Sequence, residues 1–101
     1  MTQANIDMNG DLYIIFKKEN IDDVLTSYKL NNGAEFDFYN DELVQLILPN
    51  FEAQLNRGSL LGLSIEVLDI KIEDTKLILP IQIMNDVINI KLDCESIIHK
   101  I

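Results

Sequence analysis

Aliphatic residues recur at every second position through most of this chain, and that two-residue period is what most restricts its fold. Leu12, Ile14 and Phe16 form one such run, and Phe36 with Phe38 a second. Leu63, Ile65 and Val67, then Leu77, Leu79, Ile81 and Ile83, then Ile88, Ile90 and Leu92 continue the pattern. Residues i and i+2 share one face of a strand, so each run is an apolar stripe on one side of a sheet. Turn-forming clusters fall between the runs: Asn9-Gly10, Asn31-Asn32-Gly33, Asn40-Asp41, Glu73-Asp74-Thr75-Lys76 and Asn85-Asp86. Connections this short join antiparallel neighbours. The palette agrees, with 16 Ile and 14 Leu in 101 residues and no Trp. At 48% apolar residues, the chain can bury a core without disulfide or metal staples. The expected fold is therefore mainly β with a minor α+β character, antiparallel hairpins and a meander forming one sheet or a small sandwich. It spans residues 1–101 as a single domain, an acidic hairpin half over 1–50 and an apolar meander half over 59–101.

Within that outline, Asn9-Gly10 predicts a two-residue hairpin between strands at 3–8 and 11–18, with Leu12, Ile14 and Phe16 on one face and Tyr13 and Ile15 on the other. Residues 20–30 fit two periods. Ile21, Val24, Leu25 and Tyr28 have helical spacing, while Val24, Thr26, Tyr28 and Leu30 fit a strand, and the reading is a helix near 20–28 running into a strand. Residues 43–48 read as the hairpin partner of 34–39, or as a helix begun at Asp41-Glu42. Short helices are expected near 50–57, behind Asn50, and near 94–101, where Cys94, Ile97, Ile98 and Ile101 have helical spacing. The alternation slips by one residue between Ile65-Val67 and Leu68-Ile70-Ile72, a slip that a β-bulge near Val67-Leu68 absorbs. Pro80 lacks a ladder donor, which puts its strand at an edge or beside a bulge.

The charge is lopsided, with 17 acidic against 8 basic residues for a net −9. A chain this acidic, without a basic stripe, is unsuited to bind nucleic acid directly or to dock on anionic lipid. No apolar run reaches the ~18 residues that cross a bilayer, and the first residues carry no basic and apolar leader pattern, so the expected location is cytoplasmic. The single Cys94 fits a reducing compartment and reads as a small buried hydrophobe. The acidity is also local. Between Glu19 and Glu52 eight carboxylates face one base, Lys29.

No motif carries a reaction. His99 is the only histidine and sits where a helix end is expected, without a triad partner. One Cys and one His cannot supply a zinc site, so no metal or other cofactor is expected. Asp7-Met-Asn9-Gly-Asp11 opens like a calcium loop but lacks the glycine and glutamate at its sixth and twelfth positions, and reads as a hairpin. Gly58-Ser-Leu-Leu-Gly62 lacks the Lys-Ser/Thr of a phosphate loop and reads as a turn. Adjacent acids at turns are solvated faces more often than catalytic pairs, so an enzyme is not expected.

The segments Gly10-Asp-Leu-Tyr-Ile-Ile-Phe and Ser27-Tyr-Lys-Leu-Asn-Asn-Gly-Ala-Glu-Phe-Asp-Phe-Tyr-Asn-Asp-Glu-Leu-Val-Gln-Leu-Ile-Leu resemble the bacterial domain-of-unknown-function family 2283 over residues 5–50. The resemblance implies a small cytoplasmic bacterial β domain, some members of which are suspected antitoxins.

From the residues themselves, the leading expectation is an acidic protein-binding module, an inhibitor of the antitoxin, immunity or phage anti-defence type. It would cover a basic functional surface of another protein through Asp22, Asp23, Glu35, Asp37, Tyr39, Asp41 and Glu42. Carboxylates would steer the partner and aromatic side chains would anchor it. For any one of these residues the alternative role is solubility. Phe36 and Phe38 read as core. The alternative function is a structural or assembly protein that pairs with a second copy through an exposed strand edge in 77–83 or 87–92.

Overall fold

The computed structural model describes residues 2–17, 24–55 and 58–101 and shows a mainly β protein of two antiparallel sheets, each contiguous in sequence. The first sheet holds β1 (Gln3–Ile6), β2 (Leu12–Ile15), β3 (Thr26–Lys29), β4 (Glu35–Tyr39) and β5 (Glu42–Leu48) in the order β1-β2-β5-β4-β3. The second holds β6 (Ile65–Val67), β7 (Lys71–Glu73), β8 (Lys76–Ile83) and β9 (Asp86–Asp93). Strand β8 is central, with β9 along one edge and β6 and β7 end to end along the other. A short helix, α1 (Phe51–Leu55), lies in the crossover between the sheets. None of the described helices is long and apolar enough to cross a membrane.

The alternating stripes close on one another. Leu12, Ile14, Phe36, Phe38, Leu46 and Leu48 from the first sheet form one buried cluster with Leu77, Leu79, Ile81, Ile83 and Leu92 from the second. In β8, Leu77, Leu79 and Ile81 are fully buried, while Ile78, Pro80 and Gln82 on the other side are half-buried. Cys94 and Ile97 continue the core beyond β9, and Cys94 is the buried hydrophobe expected.

Two bulges keep the stripes in phase. Val67 faces Ile81 and Lys71 faces Ile78, so three residues of the 65–73 strand oppose two of β8. This is the bulge that the parity slip demands. It is also what admits Pro80. The Leu68 N–H donates to the Pro80 carbonyl at 2.9 Å, and a residue's N–H and C=O leave a strand on the same side, so the missing donor faces the bulge and not β9. In β5, Asp37 faces Gln45 but Phe38 faces Leu43, leaving Val44 as the extra residue. The Val44 carbonyl accepts from both Phe16 N–H (2.9 Å) and Lys17 N–H (3.5 Å).

Several local expectations are corrected. The first hairpin has three loop residues, not two. The Gly10 N–H donates to Asp7 O, and the Asp7 N–H to Asp11 O, with Gly10 left-handed at φ 80. The Asp7 carboxylate accepts from the N–H groups of Asn9 and Asp11, which wins the chain for the wider loop. Of the helix near 20–28, residues 20–23 lie outside the described residues and Thr26–Lys29 is strand, because pairing with β4 outweighs the helical spacing. Residues 43–48 take the strand alternative. Of the helix at 50–57, Phe51–Leu55 forms, behind an Asn50 in the left-handed region, and residues 56–57 lie outside the described residues. The terminal helix reduces to a 3-10 turn at Ile98–Lys100, the chain turning after Cys94, where the Ile97 N–H donates to Cys94 O, to lay Ile97 into the core.

The crossover is tied to the first hairpin. The Asn50 N–H donates to the Asp11 carboxylate (2.8 Å), the Glu52 N–H to Gly10 O (3.0 Å), and the Leu60 N–H to the Glu52 carboxylate (2.9 Å). A Cβ on Gly10 would lie 3.1 Å from that of Glu52, so both the φ and the approach require glycine there.

Two substitutions of opposite sign test this account. Leu79→Ala should lower stability by about 2–5 kcal/mol in urea unfolding, because it opens a cavity between the sheets. Met84, the first loop residue of the β8–β9 hairpin, has φ 56, and Met84→Gly should raise stability by about 0.5–1 kcal/mol.

Candidate functional site

The candidate surface is the outer face of the five-stranded sheet, built by strand order. The pairings bring side chains from all five strands into two rows across that face. One runs Asn5, Tyr13, Ile47, Glu35, Lys29 and the other Gln3, Ile15, Gln45, Asp37, Ser27. Ile15 and Ile47 are half-buried at its centre, Tyr13 pairs with Ile47, Tyr39 lies further along β4 opposite Glu42, and Lys29 is the cation in these rows, at the β3 margin.

The expected contact residues are distributed unevenly over this face. Asp22 and Asp23 lie outside the described residues. Glu35, Asp37 and Tyr39 stand together on β4, as the alternation requires. Asp37, however, is only 3% exposed, withdrawn between β3 and β5, and accepts a 2.6 Å hydrogen bond from Ser27 Oγ. It organises the face from within and is not a surface carboxylate. Asp41 and Glu42 sit at the end of the sheet. Asn40 and Asp41 both have positive φ (49 and 63) and form the two-residue turn of the β4–β5 hairpin, so Asp41 has a conformational reason to be there. Glu42 is ion-paired with Lys17, and Asp41 lies 3.8 Å from Lys100, whose Nζ also stands 5.7 Å from the Tyr28 ring centre. Phe36 and Phe38 are core, as expected, and Phe38 meets Tyr28 edge to face.

Glu35 and Asp37 are neighbours on one face, and the Glu35 carboxyl is held above the ordinary glutamate range. Burial is the first cause, the Asp37 charge and a hydrogen bond to Asp37 follow, and Lys29 acts in the opposite direction. The loop after β1, read from the sequence only as a hairpin, and Tyr13 on β2 add residues outside the expected contact set. Tyr13 has its pKa raised chiefly by a hydrogen bond to Asp7, then by burial and by the charges of Asp7, Asp11 and Glu35. Asp7 is lowered by the Asp11 N–H first, with smaller help from Asn9, Tyr13 and Gly10. The alternation had placed Tyr13 opposite Leu12 and Ile14. Its place in one row with Glu35, one strand away across Ile47, depends on β5 pairing with both β2 and β4, which no local signal encodes.

Elsewhere the candidate groups are less organised. Among the described residues no cluster of His, Cys, Asp and Glu could hold a metal ion. Cys94 is buried and its thiol is pushed up, mainly by burial. An apolar cleft of about 70 Å³ opens between the sheets, lined by Leu48, Pro49, Phe51, Leu55, Ile90 and Leu92 among others.

The raised Glu35 makes a signed prediction. Because the folded state holds the Glu35 proton more tightly than the unfolded chain does, its contribution to stability is complete below the unfolded glutamate value, about 4.3. It is lost as pH rises through the higher folded value. Glu35→Gln should therefore raise the urea midpoint at pH 7 relative to the native chain, and this advantage should disappear at pH 4. Comparison of the chain with family models, with characterised proteins and with solved structures finds no match.

Proposed function

We propose that this protein is an acidic protein-binding module whose outer sheet face, from β1 to β3, covers a basic functional surface of a partner, as an inhibitor or neutralising protein does. The observation that carries the reading is the composition of this face: in the two cross-strand rows half-buried Ile15 and Ile47 give an apolar centre beside Tyr13 and Glu35, and outside the rows Tyr39 on β4 and the Asp7 and Asp11 loop add an aromatic side chain and negative charge. An apolar, aromatic centre inside a charged margin is the usual anatomy of a protein interface, and the margin sets the sign of the partner. Asp41 and Glu42 extend the charge to the β4–β5 turn, where Lys17 and Lys100 partly offset it. Carboxylates on a firm sheet can stand where phosphates would, which suits a partner whose own ligand is polyanionic.

The test uses the intact chain immobilised at roughly 0.05 M salt, where exposed charges act over long distances. A basic protein recovered from its source cells should be released at roughly 0.5 M salt. It should bind the combined variant Tyr13→Ala, Glu35→Gln, Asp41→Asn, Glu42→Gln at least about tenfold more weakly, since aromatic anchors concentrate binding energy. Asparagine at position 41 preserves the left-handed turn, so circular dichroism should show an unchanged fold. Equal affinity of native and variant chains would overturn the reading.

A further inference from the structure

We infer that β9 is a self-association edge, along which two copies of this chain join antiparallel into one continuous sheet. The edge is available and unusually regular. Among the described residues β9 pairs with β8 alone, in an unbroken register from Asp86 opposite Ile83 to Asp93 opposite Lys76. The two-residue loop makes Ile83 and Asp86 a hydrogen-bonded pair, so alternate pairs, Val87 with Gln82, Asn89 with Pro80 and Lys91 with Ile78, are not hydrogen-bonded. The backbone N–H and C=O groups of Val87, Asn89 and Lys91 thus point away from β8. Pro80 in one of those pairs is an independent sign of this phase. The devices that usually blunt an edge are few, since β9 has no proline and no bulge, and between the acidic residues at its two ends, Asp86 and Asp93, its one charge is Lys91.

The pattern along the edge selects a second copy as occupant. Pairing about a two-fold axis at Asn89 sets Val87 against the partner's Lys91 and Ile88 against the partner's Ile90. Ile88 and Ile90 face the core side yet remain half-buried, and Val87 is 54% exposed, so this pairing covers apolar surface that β8 leaves open. The one cation of the edge lies across from an apolar residue and the stem of its side chain covers Val87. Moving the axis to Lys91 would oppose like charges. Overall charge favours the same side. For a chain of net −9, two acidic outer faces repel, whereas the outer face of the second sheet intersperses Glu66, Glu73 and Asp93 with Lys71, Lys76 and Lys91. This edge belongs to the second sheet, apart from the outer face proposed to meet a basic partner, so a dimer would carry two such faces.

Light scattering after size exclusion, at about 100 μM protein, tests the inference. The native chain should have twice its 11.6 kDa monomer mass, and should keep it at roughly 0.5 M salt because backbone hydrogen bonds hold the pair. Asn89→Pro removes an outward donor at a position where an edge strand tolerates proline, and should give a folded monomer. Val87→Lys, which sets a lysine against the partner's Lys91, should do the same and decides the matter if the proline variant does not fold. In a Cys94→Ser background, Asn89→Cys should form a disulfide-linked dimer on mild oxidation, the paired Cα atoms being about 5.5 Å apart. A monomeric native chain, or a dimer that survives Val87→Lys, would overturn the inference.

Discussion

The stripe of Leu77, Leu79, Ile81 and Ile83 on β8 is the constraint on which the rest of the structure depends. It is the one strand of the second sheet paired along both edges, and its side chains fill the space beneath the first sheet. Everything around it answers to keeping that stripe continuous. The bulge at 68–70 lets two short strands flank β8 while Pro80, on the other face of that strand, leaves no orphaned partner. The extra residue at Val44 keeps Leu43 and Leu46 opposite Phe38 and Phe36, so that the facing sheet remains apolar to its end. Neither bulge is a defect in the ladder. Each reconciles a two-residue side-chain period with a pairing that changes phase.

The sequence was most informative where one residue could take only one side. The parity slip after Val67 pointed to a bulge and the absent donor of Pro80 to an edge or a bulge; β8 is no edge, and the structure joins the two signals in a single hydrogen bond. The sequence was least informative where two periods coincide. Tyr28 belongs equally to a helical and a strand pattern, and only β4 alongside decides between them. At the C-terminus, Cys94 and Ile97 keep their expected burial but not their expected helix, because burial follows from composition and helix formation needs length. Asn9-Gly10 misled through a neighbour, since the Asp7 carboxylate draws the turn one residue wider.

For the candidate surface the division is similar. Glu35, Asp37 and Tyr39 could be assigned to one face of one strand from alternation alone. That Asp37 is buried there, with Ser27 at its side, could not, because burial on an outer face depends on which strands stand to either side. Tyr13 joins the face through two successive pairings across β5, a relation between residues 13 and 35 that is written in topology and not in spacing. An acidic segment read along the chain thus becomes a graded surface in three dimensions, with one carboxyl withdrawn, one protonated more readily than usual, and two partly neutralised at the rim.

The tie between Gly10, Glu52 and Leu60 has a mechanical meaning. Each sheet is contiguous in sequence, so each can form its hairpins by local encounters, but each then exposes an uncovered apolar side. The crossover is the only covalent link by which one sheet finds the other, and Glu52 fastens its middle to the first hairpin. That shortens the tether on which the second sheet searches. Assembly of the two layers becomes a short-range docking event and not the closure of a long free loop. The glutamate at position 52 thus acts less as a surface charge than as the pin of a hinge that has been closed.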